Sequence, residues 1–109
     1  MFAATVHGEY AGYVVCRIES EVVWVESIFV REEYRRQGVA AALHGKAEEI
    51  AASYGNDTVY NYVHPNNHRM IEFLGKRGYT VLNLIEIRKP YLTEKLTQTI
   101  TVGEHEFDY

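Results

Sequence analysis

The sequence predicts a mixed α/β (α+β) domain, a central sheet with helices packed on it. Three observations predict it. Apolar residues crowd positions 22–30, a basic turn with one glycine follows at 35–38, and from Val39 the apolar spacing becomes helical. The same succession of strand and then helix recurs over 58–77. Two β-rich runs, 2–6 and 12–18, precede both.

Taken in order, 2–6 and 12–18 read as a strand pair joined through His7, Gly8 and Glu9. Glu19, Ser20 and Glu21 form a polar turn into 22–30. That run is apolar on both alternating faces, which predicts a strand buried on both sides. The next helix runs from Gly38 to about Tyr54, with Val39, Leu43, Ala47, Ile50, Ala51 and Tyr54 on one stripe and Gly55-Asn56 as the stop. A strand over 58–63 follows. A second helix spans about 67–77, capped by Asn66 or Asn67 and ended by Gly78. Residues 80–87 predict another strand, closed by Lys89-Pro90, and 98–109 a final strand or hairpin around Gly103. There is no repeat and no low-complexity segment.

A chain of 109 residues predicts one domain, 1–109. That length buries roughly 60–70% of the unfolded surface, so no staple is needed. Hydrophobic residues at 47% and charged ones at 24% fit an ordinary globular protein. The lone Cys16 excludes an internal disulfide and suits a reducing compartment. No apolar run reaches the ~20 residues of a membrane span, and no basic leader precedes an apolar core. The expectation is a soluble, cytoplasmic protein with no membrane partner. A net charge of −4 argues against nucleic acid and is compatible with cationic amines.

A helix start at Gly38 offers free backbone N–H groups and the positive end of the helix dipole, a seat for phosphate at the end of a strand. Two phosphate loops are excluded. A Walker loop needs four residues between its glycines and Ser or Thr after the lysine, whereas six residues separate Gly38 from Gly45 and Ala47 follows Lys46. The dinucleotide fingerprint needs three glycines, and this turn has one. Arg-x-x-Gly-x-Ala, read at Arg35, Gly38 and Ala40, resembles the acetyl-CoA pyrophosphate loop of the GNAT superfamily of N-acetyltransferases. The flanks are similar too. Val30 and Tyr34-Arg35 precede the loop, Asn67 falls in the later Asn-containing turn, and Gly78-Tyr79 match the family's Gly-aromatic close. The likeness spans roughly residues 9–88.

The resemblance implies a mixed, mostly antiparallel central sheet, splayed at the strand before the loop to admit acetyl-CoA as co-substrate. It implies that the pantetheine arm pairs with the backbone of Ile28, Phe29 and Val30. The pyrophosphate would lie on the loop formed by Arg35, Arg36, Gln37, Gly38, Val39, Ala40 and Ala41. Asn67 would contact the cofactor arm, although helix capping explains an asparagine there equally well. Glu26 shares the strand parity of Trp24, Ile28 and Val30. A carboxylate in an apolar strand is costly to bury, and acetyl transfer to an amine requires removing a proton from an ammonium of pKa ~10. The family often places a glutamate here as base. The plainer reading is a solvent-facing Glu26, or one paired with Arg17.

The implied activity is N-acetyl transfer to a primary amine, on a small molecule or a protein. The alternative is a CoA-binding or assembly module without catalysis. Two features support the alternative. Leu74 occupies the position where many members carry a tyrosine that protonates the leaving thiolate, leaving Tyr62 or Tyr79 as substitutes. The family's usual N-terminal strand and helices are also missing, through a minimal reading frame or a trimmed chain, and dimerisation would cover the surface they leave. Metal is not expected. His64 and His68 are spaced i, i+4, but Pro65 interrupts the turn and no third ligand is near.

Overall fold

A computed structural model describes all 109 residues. The chain forms two compact units, Met1–Tyr62 and Val63–Tyr109.

The first unit is a four-stranded sheet with one helix. Strands β1 (Phe2–Val6), β2 (Glu9–Glu19), β3 (Val22–Val30) and β4 (Tyr60–Asn61) lie in the order β1-β2-β3-β4, and helix α1 spans Val39–Ser53. The first three strands are antiparallel and β4 runs parallel to β3, so the sheet is mixed and mostly antiparallel. Both hairpins turn on two residues of positive φ, His7-Gly8 and Ser20-Glu21, the backbone twist that tight hairpins need. Helix α1 covers one face of the sheet. The core gathers Val14, Val23, Val25, Val30, Leu43, Ala47 and Val59, all buried.

The strand β3 departs from the sequence expectation in two ways. It is buried on one face only: Val23, Val25 and Val30 are buried, while Glu26, Ser27 and Phe29 are exposed. Its parity also breaks. Val15 pairs with Ser27 and Cys16 with Val25, which leaves Glu26 as the extra residue of a β-bulge. Beyond the bulge, Ile28 faces with Val14 on the helix side, while Trp24 faces with Arg17 on the other side. Glu26 therefore does not share a face with Ile28 and Val30. A single sequence carries no signal for an inserted residue when both faces are apolar.

The helical stripe is also corrected. His44 is buried at 1% exposure, whereas Tyr54 is 42% exposed. The His44 ring nitrogen Nε2 lies 2.9 Å from Asn61 Oδ1, which satisfies a polar group inside the core. The strand predicted over 58–63 shortens to Tyr60–Asn61.

The second unit contains helix α2 (His68–Lys76) and a hairpin of β5 (Thr99–Val102) and β6 (His105–Asp108). The side-chain oxygen of Asn67 accepts the Met70 amide at 3.2 Å and caps α2. At the other end Gly78 has φ 94°, Tyr79 N–H reaches the Leu74 carbonyl at 2.9 Å, and Gly78 N–H reaches Gly75 at 3.1 Å. This is a Schellman close, and it requires a residue such as glycine at that point. The strand predicted over 80–87 does not form. Its residues join no ladder, and Val81, Leu82, Leu84 and Ile87 stand exposed. Alternating apolar residues permit a strand, but only a hydrogen-bonded neighbour makes one. Further on, Arg88 clamps Glu94 through two nitrogens at 2.8 and 2.7 Å and folds the turn between them.

Candidate active site

The outer edge of β3 determines the geometry. Pairing with β4 covers only Trp24 and Val25, followed by one further bond, from Tyr62 N–H to the Val25 carbonyl at 3.2 Å. From Glu26 to Val30 that edge has no strand beside it. Backbone groups alternate between the two edges of a strand, so Ile28 and Val30 face this open edge, whereas the Phe29 carbonyl points to β2 and the Val30 carbonyl already accepts from Arg35. The opposite edge is held tightly by β2. Gly12 pairs with Val30, and a Cβ at Gly12 would sit 2.2 Å from the Phe29 carbonyl oxygen. Only glycine allows this approach.

The open edge leads directly into the loop. A 3₁₀ turn at Glu32–Tyr34 reverses the chain, and Arg35 Nε donates back to the Val30 carbonyl at 3.0 Å. Gln37 Nε2 bonds the Glu33 carbonyl at 3.1 Å. Arg36 has φ 62° and Gly38 φ 83°, two left-handed residues on either side of Gln37. Such alternation turns successive N–H groups toward one concavity. The first intrahelical bond of α1 runs from Ala42 N–H to the Gly38 carbonyl, so the amides of Val39, Ala40 and Ala41 precede the ladder. No side chain caps them, and no acidic residue stands in the first turn. Arg36, exposed and left-handed, is a non-glycine residue in a conformation that costs ~1–2 kcal/mol. These are the features of an anion seat.

On the face of the sheet away from α1, Arg17 organises a cluster. Its Nε donates to Glu26 Oε1 at 2.8 Å, its second terminal nitrogen to Tyr62 Oη at 2.7 Å, and its first lies 2.7 Å from Glu19 Oε2. The guanidinium lies 4.4 Å from the centre of the Trp24 ring, which in turn packs on Tyr60. The bond to Glu19 raises the Arg17 pKa further, so the guanidinium stays charged. Glu26 is exposed and paired rather than buried in apolar surroundings.

The structure thus brings Ile28, Phe29, Val30 and residues Arg35, Arg36, Gln37, Gly38, Val39, Ala40 and Ala41 onto one continuous stretch, with Glu26 at its start. Asn67 belongs to the other unit, and its side-chain oxygen is occupied as a helix cap. Leu74 is buried and offers no proton. The sequence reading gave Arg17 only as one possible partner of Glu26. Its contacts with Trp24 and Tyr62 were not visible, because they depend on strand register. No group of three or more His, Cys, Asp or Glu side chains is placed to hold a metal ion.

A bare strand edge running into an uncapped helix start, on a mixed four-stranded sheet, defines the class. The chain belongs to the acetyltransferase (GNAT) family, whose match covers residues 1–79. A curated relative from Methanocaldococcus jannaschii, described as an uncharacterized N-acetyltransferase, is 34% identical over 85 residues. The aligned part is 72% of this chain and 38% of that protein, so the chain spans well under half of its relative's length. Among solved structures, an aminoglycoside N-acetyltransferase in complex with CoA superposes with a TM-score of 0.68 at 23% identity. That superposition covers 82% of this chain and 74% of the other, and it shows a shared fold. Nourseothricin acetyltransferase gives a TM-score of 0.58 at 32% identity over 63% of this chain and 42% of its own.

Proposed function

We propose that this chain binds acetyl-CoA and transfers its acetyl group to a primary amine. One observation carries the reading. The unpaired edge of β3 from Glu26 to Val30 is followed, after the 3₁₀ turn and the basic loop, by the amides of Val39, Ala40 and Ala41 that precede the α1 ladder. An extended arm ending in a pyrophosphate fits that sequence of sites. Bound acetyl-CoA supplies the acetyl thioester. The protein's own groups do the rest. Ile28 and Val30, on either side of Phe29, bind and align through backbone, and one N–H of this edge polarises the carbonyl. The loop amides and Arg36 neutralise phosphate charge. Glu26, at the bulge, takes the proton of the acceptor ammonium so that a lone pair is available. Asn67 is a second candidate contact for the cofactor arm.

Release of free CoA in the presence of polyamines, amino acids and peptides with free N-termini tests the reading. Glu26→Gln keeps the shape and removes the base, and turnover should fall by ~10²-fold while acetyl-CoA binding is unchanged. A protein that binds acetyl-CoA but acetylates nothing in the panel supports a CoA-binding or assembly module instead. The apolar Leu74 favours that second reading. We also propose a homodimer that buries the outer edge of β1, the sheet edge away from the cofactor, or the acceptor wall. Sedimentation showing a monomer at micromolar concentration contradicts it.

A further inference from the structure

The Arg17 cluster asks for an explanation beyond surface charge. Exposed ion pairs contribute little to stability, so surface charge alone does not account for gathering β2, β3 and the chain after β4 on one partly exposed guanidinium. Yet Arg17 spends three different nitrogens on three partners: Nε on Glu26, one terminal nitrogen on Glu19, the other on Tyr62. These partners come from β3, β2 and the chain just after β4. The register sets Arg17 opposite Trp24, and Glu26, two residues further along β3, lies on the same side.

We infer that Arg17 is the positioning residue of the acceptor side: held by Tyr62 and Trp24, its guanidinium fixes the place of the Glu26 carboxylate. The inference rests on the proposed role of Glu26 as base. A carboxylate on an exposed bulge samples several rotamers, and proton transfer requires one of them. Stacking on Trp24 at 4.4 Å fixes the plane of the guanidinium. The bonds to Glu19 and Tyr62 fix its rotation within that plane. Accepting from Arg17 also leaves the Tyr62 hydroxyl hydrogen free to point outward. A lysine cannot reproduce this, because an ammonium is a point charge on a flexible stem.

The test is a comparison of steady-state kinetics and melting for wild type, Arg17→Ala, Arg17→Lys, Glu26→Gln and the double variant Arg17→Ala/Glu26→Gln. Arg17→Ala and Arg17→Lys should each lower kcat by about tenfold, with the KM for acetyl-CoA and the melting temperature little changed. The double variant should be no slower than Glu26→Gln alone, because Arg17 acts through Glu26. Guanidinium chloride, kept below denaturing concentration, should restore part of the activity of Arg17→Ala and none of that of Glu26→Gln. Should Arg17→Ala fold poorly, Arg17→Lys carries the test alone. Wild-type kcat in Arg17→Lys with a slow Glu26→Gln overturns the inference and leaves the base assignment standing. Slow arginine variants with a fully active Glu26→Gln overturn both, as does a wild-type chain that turns over no amine.

Discussion

Gly12→Ala tests the part of the fold on which the open edge of β3 depends. Gly12 pairs with Val30, and a Cβ there would lie 2.2 Å from the Phe29 carbonyl oxygen, 3.0 Å from the Val30 Cα and 3.1 Å from the Phe29 carbonyl carbon. Carbon and carbonyl oxygen approach to about 3.3 Å, so β2 and β3 must part by roughly 1 Å. The obstacle is backbone on both sides, and no side chain can swing away to relieve it. Overpacking of this kind costs about 1–3 kcal/mol. In a domain of this size that lowers the melting temperature by roughly 4–20 °C. The displaced residue is Phe29, which lies between Ile28 and Val30, the two residues that face the open edge. Losing one backbone hydrogen bond, about 1 kcal/mol, weakens acetyl-CoA binding about fivefold. Differential scanning fluorimetry and isothermal titration calorimetry measure the two effects. Gly45→Ala is the contrasting change, since a Cβ there meets nothing within 4 Å inside α1. It should stabilise by about 0.5–1 kcal/mol. A Gly12→Ala protein that melts with wild type and binds acetyl-CoA as tightly refutes the reasoning.

Asn67→Ala removes the acceptor for the Met70 amide and should cost about 0.5–2 kcal/mol, read from urea unfolding; an unchanged midpoint contradicts the cap. If Asn67 also contacts the cofactor arm, the same variant weakens acetyl-CoA binding beyond the change in folded fraction. The Arg88 guanidinium, and then the Tyr91 amide, hold the Glu94 carboxyl down at about 2. A depressed carboxyl pKa stabilises above its ordinary value, and that contribution is lost as pH falls through the folded one. The turn should therefore persist through the range where ordinary carboxylates protonate and open only near pH 2. Carboxyl carbon NMR follows this directly, and Arg88→Ala should return the midpoint toward the usual range.

Much of this architecture is legible in the sequence where local chemistry sets it. Gly38 after a basic turn and Gly55 and Gly78 at helix ends act through backbone conformations that few residues adopt, and Asn67 before α2 acts through its side-chain cap. The elements set by partners are less legible. Residues 80–87 have the composition of a strand and lack a ladder. Tyr60–Asn61 is all that pairs of a six-residue β-like run. His44 falls outside an apolar stripe, but Asn61 lets it be buried. The candidate site divides along the same line. The loop was readable because its amides are local to Gly38. The Arg17 cluster is not, because it depends on the β2–β3 register that sets Arg17 opposite Trp24 and on where the chain after β4 brings Tyr62.

Amide chemical shifts of ¹⁵N-labelled protein titrated with acetyl-CoA test the central claim most directly, since they report on the loop residue by residue. The account predicts saturable shifts concentrated on Phe29, Val30, Gly38, Val39, Ala40 and Ala41, with Gly55 and Gly103 unmoved. Replacing Gly38 by valine should abolish the loop shifts, and Gly38→Ala should weaken them, through the left-handed backbone that glycine supplies. Saturable binding whose shifts leave residues 38–41 untouched, or no binding at millimolar acetyl-CoA, contradicts it.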